Sequence, residues 1–206
     1  MKRETEEQSI FTIGHSNHSL DDFIELLQSQ AIDVLVDVRS QPYSRYATHF
    51  NKDPLKAGVK EGGMIYLFLG KELGGRPKGV KFYDKDGFVF YNLMAESPLF
   101  LEGISRLQKG IQKYRVAIMC SEENPGVCHR HLLVGRVLTE RKVKVLHIRG
   151  DGQVQTNEEL KLAQRNKSRG GVIQLALFGL EEEEEKEWKS VVSVLPKKQP
   201  NNSSDY

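Results

Sequence analysis

The chain has 206 residues and a mass of 23.5 kDa, which suits one domain with an additional tail. Hydrophobic residues make up 38% and charged residues 28%, a composition that excludes wholesale disorder. The net charge of +2 excludes a strongly basic surface, although residues 1–150 carry +4 and residues 151–206 carry −2. No apolar run is long enough to cross a membrane, and no apolar stretch follows the charged N-terminus. We therefore expect a cytoplasmic protein with two reduced cysteines and no membrane partner.

Short apolar segments alternate with helix-like segments along the first 150 residues. The segments typical of strands are residues 10–13, 34–38, 64–69, 114–120 and 143–148. The segments with helical spacing are residues 20–30, 92–109 and 129–140, whereas residues 41–63 suggest a long loop with one helical turn. This alternation predicts an α/β fold, with a three-layer, Rossmann-like and mostly parallel sheet flanked by helices. We expect a flexible N-terminus at 1–9, the α/β domain at 10–154 and a charged C-terminal tail at 155–206.

The densest group of reactive side chains begins where the fourth predicted strand ends, at Cys120. The segment from there reads Cys-Ser-Glu-Glu-Asn-Pro-Gly-Val-Cys-His-Arg and closes into a helix. A thiol at the helix start, that of Cys128, would have its pKa lowered by the helix dipole. His129 could act as acid or base, Glu122 as general base and Arg130 as a phosphate contact. For the two thiols, simple packing as small buried residues is the alternative.

Spacing argues against two familiar chemistries for this segment. A zinc site from Cys120, Cys128 and His129 or His131 has suitable residue types, but its spacing does not match the usual paired zinc motifs. A cysteine phosphatase would carry an arginine six residues after Cys120, where this chain has Gly126. The sequence therefore predicts neither a metal site nor a phosphatase loop.

Two further groups of candidate residues follow the first two strands. Gly14 permits close backbone approach, so that His15 would face the crevice at the carboxyl edge of the sheet with Ser16 beside it. A loop histidine that caps a turn is the alternative for His15. After the second strand, Asp37 could act as a base or simply hold Arg39 in an ion pair. Ligand or catalytic use of these residues is the favoured interpretation.

Two loops supply the remaining candidate substrate contacts. Ser44 continues the loop after the second strand, and Lys71 lies in a glycine-rich basic segment, residues 70–76, that could cradle a phosphate. A flexible surface loop with solvated charges is the alternative. The segment lacks the P-loop pattern, and no Gly-x-Gly-x-x-Gly follows the first strand. Neither NTP hydrolysis nor a dinucleotide cofactor is supported, and no cofactor is expected.

Four short motifs stand out along the chain when these groups are taken together. They are Ile13-Gly-His-Ser16, Asp37-Val-Arg39 with Pro42 and Ser44, Leu69-Gly70 with Leu73-Gly-Gly75, and Cys120 with Glu122, Pro125 and Cys128-His-Arg130. In this order, over residues 10–148, they resemble the domain-of-unknown-function 488 family. The resemblance implies a cytoplasmic, mostly prokaryotic α/β protein without an assigned activity. The residues that match the family motifs are His15, Asp37, Arg39, Lys71, Cys120, Glu122, Cys128, His129 and Arg130.

The C-terminal tail contains a five-residue motif, Gln174-Leu-Ala-Leu-Phe178. It resembles the peptide with which bacterial DNA polymerases and repair proteins bind the sliding clamp. Gln174 would hydrogen-bond at the rim of an apolar pocket, and Leu175, Leu177 and Phe178 would supply the apolar contacts. A strand or helix turn that packs back on the domain is the alternative. The resemblance makes a bacterial sliding clamp the expected partner.

Three functions are compatible with these residues. The first is a DNA-processing or repair-associated enzyme, tethered to the clamp, that acts as hydrolase or transferase on a nucleotide or nucleic acid. Its candidate catalytic residues are His15, Asp37, Cys120, Glu122, Cys128 and His129. Its candidate substrate or phosphate contacts are Gly14, Ser16, Arg39, Ser44, Lys71 and Arg130. The second function is a small-molecule enzyme with a thiolate nucleophile, and the third is a non-catalytic adaptor that binds a nucleotide or a DNA end.

Overall fold

One six-stranded sheet organises the chain, in a computed structural model that describes residues 8–169 and 188–193. The strands are β1 (Ser9–Gly14), β2 (Val34–Asp37), β3 (Ile65–Phe68), β4 (Val116–Cys120), β5 (Lys144–Ile148) and β6 (Val154–Thr156). Their order is β3-β2-β4-β1-β5-β6, with the first five strands parallel and β6 antiparallel to β5. The predicted α/β fold with a mostly parallel sheet is confirmed.

Helices cover both faces of the sheet and complete the three layers. The helices are α1 (Leu20–Ser29), α2 (Lys52–Glu61), α3 (Gly70–Leu73), α4 (Tyr91–Ala95), α5 (Pro98–Ile111), α6 (Arg136–Glu140) and α7 (Asn157–Arg169). Short 3-10 turns lie at Thr48–Phe50, Val80–Phe82 and Pro125–Val127, and a π-helical segment at Arg130–Gly135 runs directly into α6. No helix in the described part of the chain combines the length and the apolar character needed to cross a membrane.

The alternation of side chains along β1 explains why helices cover both faces of the sheet. Ile10 belongs to the core cluster that contains Phe100 of α5, whereas the next residue, Phe11, belongs to the cluster that contains Phe23 of α1. Successive strand residues point to opposite faces, so a strand that is apolar at consecutive positions needs a helical layer on each side. Each fully buried side chain of this kind contributes about 1.5–3 kcal/mol.

The prediction of a long loop with a single helical turn between residues 41 and 63 is wrong. This region holds the 3-10 turn and the ten-residue helix α2. Pro54 lies within the first turn of α2, where a missing N–H breaks no intrahelical bond. The helix buries Leu55 and Val59 and is otherwise largely polar. Two buried residues one turn apart form too narrow an apolar stripe to show as helical periodicity.

The predicted helix at 92–109 is two helices. The chain breaks between α4 and α5, where the Ser97 hydroxyl accepts a hydrogen bond from the Phe100 N–H and Pro98 occupies the first turn. Serine at the N-cap and proline just behind it are the usual start of a helix, so α5 begins here rather than continuing α4. Residues 92–109 therefore give two short elements in one layer.

The fold extends past residue 154, where the α/β domain was expected to end. β6 spans that position, and at the start of α7 Asn157 and Leu160 are buried. Residues 188–193, here called the C-terminal strap, also lie on the domain: the Trp188 indole N–H donates to the Leu132 carbonyl at 2.9 Å. The candidate clamp-binding residues 174–178 lie outside the described residues.

Candidate functional site

A crevice opens at the carboxyl edge of the sheet between the loops that follow β2 and β4. The helix after β2, α2, packs on one face, and the helix after β4, α6, packs on the other. Loops that diverge in this way leave a crevice beside the strand ends, the usual ligand site of such sheets. Gly14 of β1 lies beside Cys120, and a Cβ at Gly14 would approach the Glu122 carbonyl oxygen to 1.9 Å. The close approach predicted at Gly14 is therefore to the β4 loop itself.

Four side chains meet in this crevice, and we call Cys120, Glu122, Cys128 and His129 the thiol cluster. Glu122 Oε2 lies 3.0 Å from Cys120 Sγ and 3.1 Å from Cys128 Sγ, so one carboxylate oxygen accepts from both thiols. The Nδ1 atom of His129 lies 3.7 Å from the first sulfur and 3.9 Å from the second. Cys120 ends β4 and Cys128 lies just before the π-helical segment, so the loop between them brings together two cysteines eight positions apart.

The imidazole of His129 is held in one orientation. Its Nε2–H donates to the Val38 carbonyl at 3.0 Å, because a carbonyl oxygen can only accept. The backbone of Gly75 packs against the ring, where a Cβ would lie 2.8 Å from the ring carbon. The remaining nitrogen, Nδ1, is thereby directed at the two sulfurs. The glycine-rich segment thus serves close packing around the cluster.

Hydrogen bonding within the cluster moves the pKa values of its two thiols in opposite directions. The hydrogen bond with Cys128, followed by burial, raises the pKa of the Cys120 thiol well above normal. Burial opposes ionisation of Cys128, but hydrogen bonds from Cys120 and His129 lower the pKa of Cys128 well below normal. Burial likewise opposes protonation of His129, yet the adjacent Cys128 raises the pKa of that imidazole. The sequence attributed a lowered pKa at Cys128 to the helix dipole, whereas the contacts that lower the pKa here are those with neighbouring side chains.

Asp37 does not fit the role of general base that its position suggested. Its Oδ1 accepts from the backbone N–H and the Nε of Arg39, and its Oδ2 accepts from Arg39 Nη2 at 2.7 Å and from the Tyr66 hydroxyl at 2.8 Å. The carboxylate is fully buried, and four donors occupy its lone pairs. The ion-pair alternative is therefore the one observed. Glu122 is left as the carboxylate at the cleft.

Arg130 does not fit the role of phosphate contact. Its side chain is fully buried under the β4 loop. Its Nη1 donates to the Glu122 carbonyl, its Nη2 to the Glu123 carbonyl at 2.6 Å, and its Nε lies 3.4 Å from the Thr12 hydroxyl oxygen. A fully buried guanidinium whose three nitrogens each have a partner in this way holds the loop in place and is not accessible to a ligand.

Three other predicted residues lie away from the thiol cluster. His15 stacks on Phe50 at 4.3 Å between ring centroids, donates to the Ser16 carbonyl, and has its pKa lowered to about 4 by burial and by Arg39. Ser16 lines a separate polar cleft of about 580 Å³. Lys71 is exposed on α3 and lines none of the described clefts. The structure does not bring these side chains to the two sulfurs.

The cleft above the thiol cluster has a volume of about 410 Å³, within the usual range for ligand pockets. Of the predicted contacts, Arg39 and Ser44 line it. Its walls also contain residues that were not among the predicted site: Ser40, Gln41, Tyr43, Arg76, Tyr91, Ser121, Val127, and Ser190 to Ser193 of the strap. Trp188, the single tryptophan of the chain, is the sequence signal from which docking of the strap on the domain could have been expected.

Comparisons with known proteins identify the family of the chain but assign it no activity. A family model described as domain of unknown function DUF488 matches residues 19–137. No curated protein matches the chain. Two crystal structures of a candidate phosphatase (DUF442) from Shewanella putrefaciens CN-32 are similar at 15% and 16% identity, with TM-scores of 0.35 and 0.36. The matches cover 60% and 62% of this chain and 64% of each of those chains, and nothing about activity follows from them.

Proposed function

Because the chain belongs to the DUF488 family, whose description assigns no activity, we propose its function from the cleft: an enzyme that acts on a nucleotide unit of single-stranded nucleic acid. One observation carries the proposal. The thiol cluster lines a cleft together with the exposed Tyr43, from the loop after β2, and the exposed Arg76, from the segment after α3, and the exposed Arg45 and Tyr46 follow in the same loop as Tyr43. Stacking surfaces and positive charge around a reactive pocket suit a base with its phosphates.

The two tyrosines are displayed by a loop whose backbone is hydrogen-bonded at several points. The exposed fraction of the side chain is 76% for Tyr43 and 88% for Tyr46. The Tyr43 N–H donates to the Gln41 carbonyl, and the Tyr46 N–H donates to the Ser44 hydroxyl. The Ser44 N–H donates in turn to the Asn51 side chain at 2.7 Å. Rings held out by a fixed backbone lose little conformational entropy when a base stacks on them.

The positive groups near these rings are placed to contact phosphate. The Arg45 guanidinium carbon lies 5.5 Å from the centre of the Tyr46 ring. Arg76 lines the cleft, and its N–H donates to the Ser40 hydroxyl at 2.9 Å, which ties this segment to the loop after β2. Phosphate contacts by arginine supply the sequence-independent part of nucleic-acid affinity. A base that leaves the stack at Tyr43 would then reach Glu122, the candidate general base.

We expect a protein with Tyr43→Ala and Tyr46→Ala to bind single-stranded oligonucleotides about 10- to 100-fold more weakly, since stacking contributes about 1–3 kcal/mol per base. The measurement is fluorescence anisotropy of labelled oligothymidylate and oligouridylate at two salt concentrations. Tyr114→Ala is the matched control, because Tyr114 is 46% exposed and precedes β4, at the opposite edge of the sheet. Equal affinities for the three proteins would reject the proposal and favour a small-molecule substrate for the thiol cluster.

We further infer that the motif at 174–178 tethers the enzyme to a bacterial sliding clamp, a proposal that rests on the resemblance of Gln174-Leu-Ala-Leu-Phe178 to clamp-binding peptides. The motif lies between α7 and the strap along the chain, so it would be bound as part of a connection rather than as a free end. Leu177→Ala with Phe178→Ala should abolish binding in a titration of intact protein against the clamp. Leu162→Ala, at an exposed leucine of α7, should not. No binding by the unaltered chain would remove this partner and leave the cleft proposal untouched.

A further inference from the structure

The thiol cluster has the composition and shape of a metal site, and we propose that it binds Zn²⁺ through Cys120 Sγ, Cys128 Sγ and His129 Nδ1. The three donor atoms lie within 4.8 Å of one another. This inference rests on the proposed function, because the metal would lie in the cleft where the proposed reaction takes place. It departs from the sequence expectation of no metal.

The two nitrogen–sulfur separations in the cluster are close to those of a tetrahedral zinc site. Zinc–sulfur bonds of about 2.3 Å and zinc–nitrogen bonds of about 2.0–2.1 Å place sulfur and nitrogen about 3.6 Å apart at a tetrahedral centre. The observed distances from His129 Nδ1 to the two sulfurs are 3.7 and 3.9 Å. An ion could therefore be accommodated with small movements of the side chains.

The surroundings of the ligands have the features that hold a zinc site in place. A zinc-bound histidine usually donates its other N–H to a carbonyl or carboxylate, and here Nε2–H donates to Val38. Gly75 packs against the same ring. Both sulfurs are buried, with exposed fractions of 5% for Cys120 and 1% for Cys128. Ligation would remove the protons of both thiols, and two buried thiolates next to a carboxylate need a nearby positive charge, which a divalent ion supplies.

Glu122 indicates where the fourth coordination position lies. Its Oε2 contacts both sulfurs, at 3.0 and 3.1 Å, and the residue is exposed to the cleft. Three protein ligands with a fourth position that opens to a substrate cleft are the arrangement of catalytic zinc sites, whereas structural sites close the fourth position with protein. Two sulfurs and an imidazole favour zinc over magnesium or calcium. Sequence spacing did not reveal the site because a strand end and a helix start supply its ligands.

The test measures metal directly on the full chain and without nucleic acid. The protein, stripped with a chelator under reducing conditions, is titrated with Co²⁺, which reports tetrahedral geometry in its visible absorption and thiolate ligation in a near-ultraviolet charge-transfer band. We expect both signals to saturate at one ion per chain and to be displaced by Zn²⁺. Cys120→Ser, Cys128→Ser and His129→Gln should each weaken binding at least 100-fold. His49→Gln, at an exposed histidine outside the cluster, should bind as the unaltered protein does.

A second measurement keeps the proposal testable if a cysteine variant fails to fold. Bound Zn²⁺ should protect both thiols of the unaltered protein from iodoacetamide, and a chelator should restore their reaction, as read by mass. Folded protein that binds no Co²⁺, or that shows no charge-transfer band, would overturn the proposal. So would a disulfide between Cys120 and Cys128 that persists under the reducing conditions of the titration. The variant with Tyr43→Ala and Tyr46→Ala should bind metal normally, so the failure of the metal site and the failure of the nucleic-acid function are distinguishable.

Discussion

Replacement of Arg130 by methionine is expected to lower the free energy of unfolding by about 3 kcal/mol, because two loop carbonyls lose the donors that a fully buried side chain supplies. For a chain of this size that loss corresponds to a fall of about 6–12 °C in Tm. Methionine preserves most of the volume, so a cavity contributes little. Thermal unfolding followed by circular dichroism, without any ligand, is the measurement.

Two further variants separate loop support from ligand binding. Arg130→Lys keeps the charge but cannot reach both carbonyls as the planar guanidinium does, so we expect a loss between zero and that of methionine. Arg141→Met removes an exposed arginine of the same segment of chain and should change stability by less than about 0.5 kcal/mol. If Arg130→Met proved as stable as Arg141→Met, Arg130 would not be the support of the loop, and a role in ligand binding would return.

Acid should destabilise the fold through His147, whose pKa is lowered to about 3 by burial, by neighbouring His131 and by Arg130 and Arg149. Its ring accepts at Nδ1 from the Thr12 hydroxyl and donates at Nε2 to Asn157, so the neutral form is the one bound. The folded pKa lies below the ordinary value of 6.5. Stability from this group is therefore complete above pH 6.5 and is lost as the pH falls from there towards 3. At pH 5 the loss from His147 alone is about 2 kcal/mol relative to pH 8.

The comparison of variants isolates this contribution from other titrating groups. His147→Gln removes the titration, so its free energy of unfolding should fall by about 2 kcal/mol less between pH 8 and pH 5 than that of the unaltered chain. His49→Gln, at an exposed histidine, should follow the unaltered chain. Urea unfolding at the two pH values provides both numbers. Parallel pH profiles for the unaltered chain and His147→Gln would show that His147 is protonated without cost.

The layout of the sheet was predictable because its central parallel strands, β1, β2 and β4, are buried on both faces. Val34 to Val36 and Val116 to Ile118 are apolar at consecutive positions, and such runs mark central strands whatever their neighbours. Helix α2 was not predictable on the same basis, since its core contact reduces to Leu55 and Val59. Hydrophobic periodicity detects helices and strands that bury a broad apolar face, and it misses helices such as α2 that bury only a narrow apolar stripe.

The four residues of the thiol cluster stand on the loop that begins at Cys120, which the sequence singles out, whereas most of the cleft wall comes from residues that it did not single out. Whether a charged side chain there faces a ligand depends on contacts with residues that are distant in sequence. Examples are the hydrogen bond from Tyr66 to Asp37 and the contact between Thr12 and Arg130. Those contacts decide that Asp37 and Arg130 support the site from below while Glu122 remains at the cleft. Residue type and position alone cannot make that distinction.

The strap has a consequence for mapping functions by deletion. Ser190 to Ser193 form part of the cleft wall, and Trp188 anchors them to the domain. A chain cut before residue 188 therefore loses one side of the cleft. It also loses the anchor that follows the motif at 174–178 along the chain. Lost activity in such a truncated protein would be credited to a missing tether even if only the pocket had been damaged. Point substitutions at Leu177 and Phe178 alter the motif and leave the wall in place.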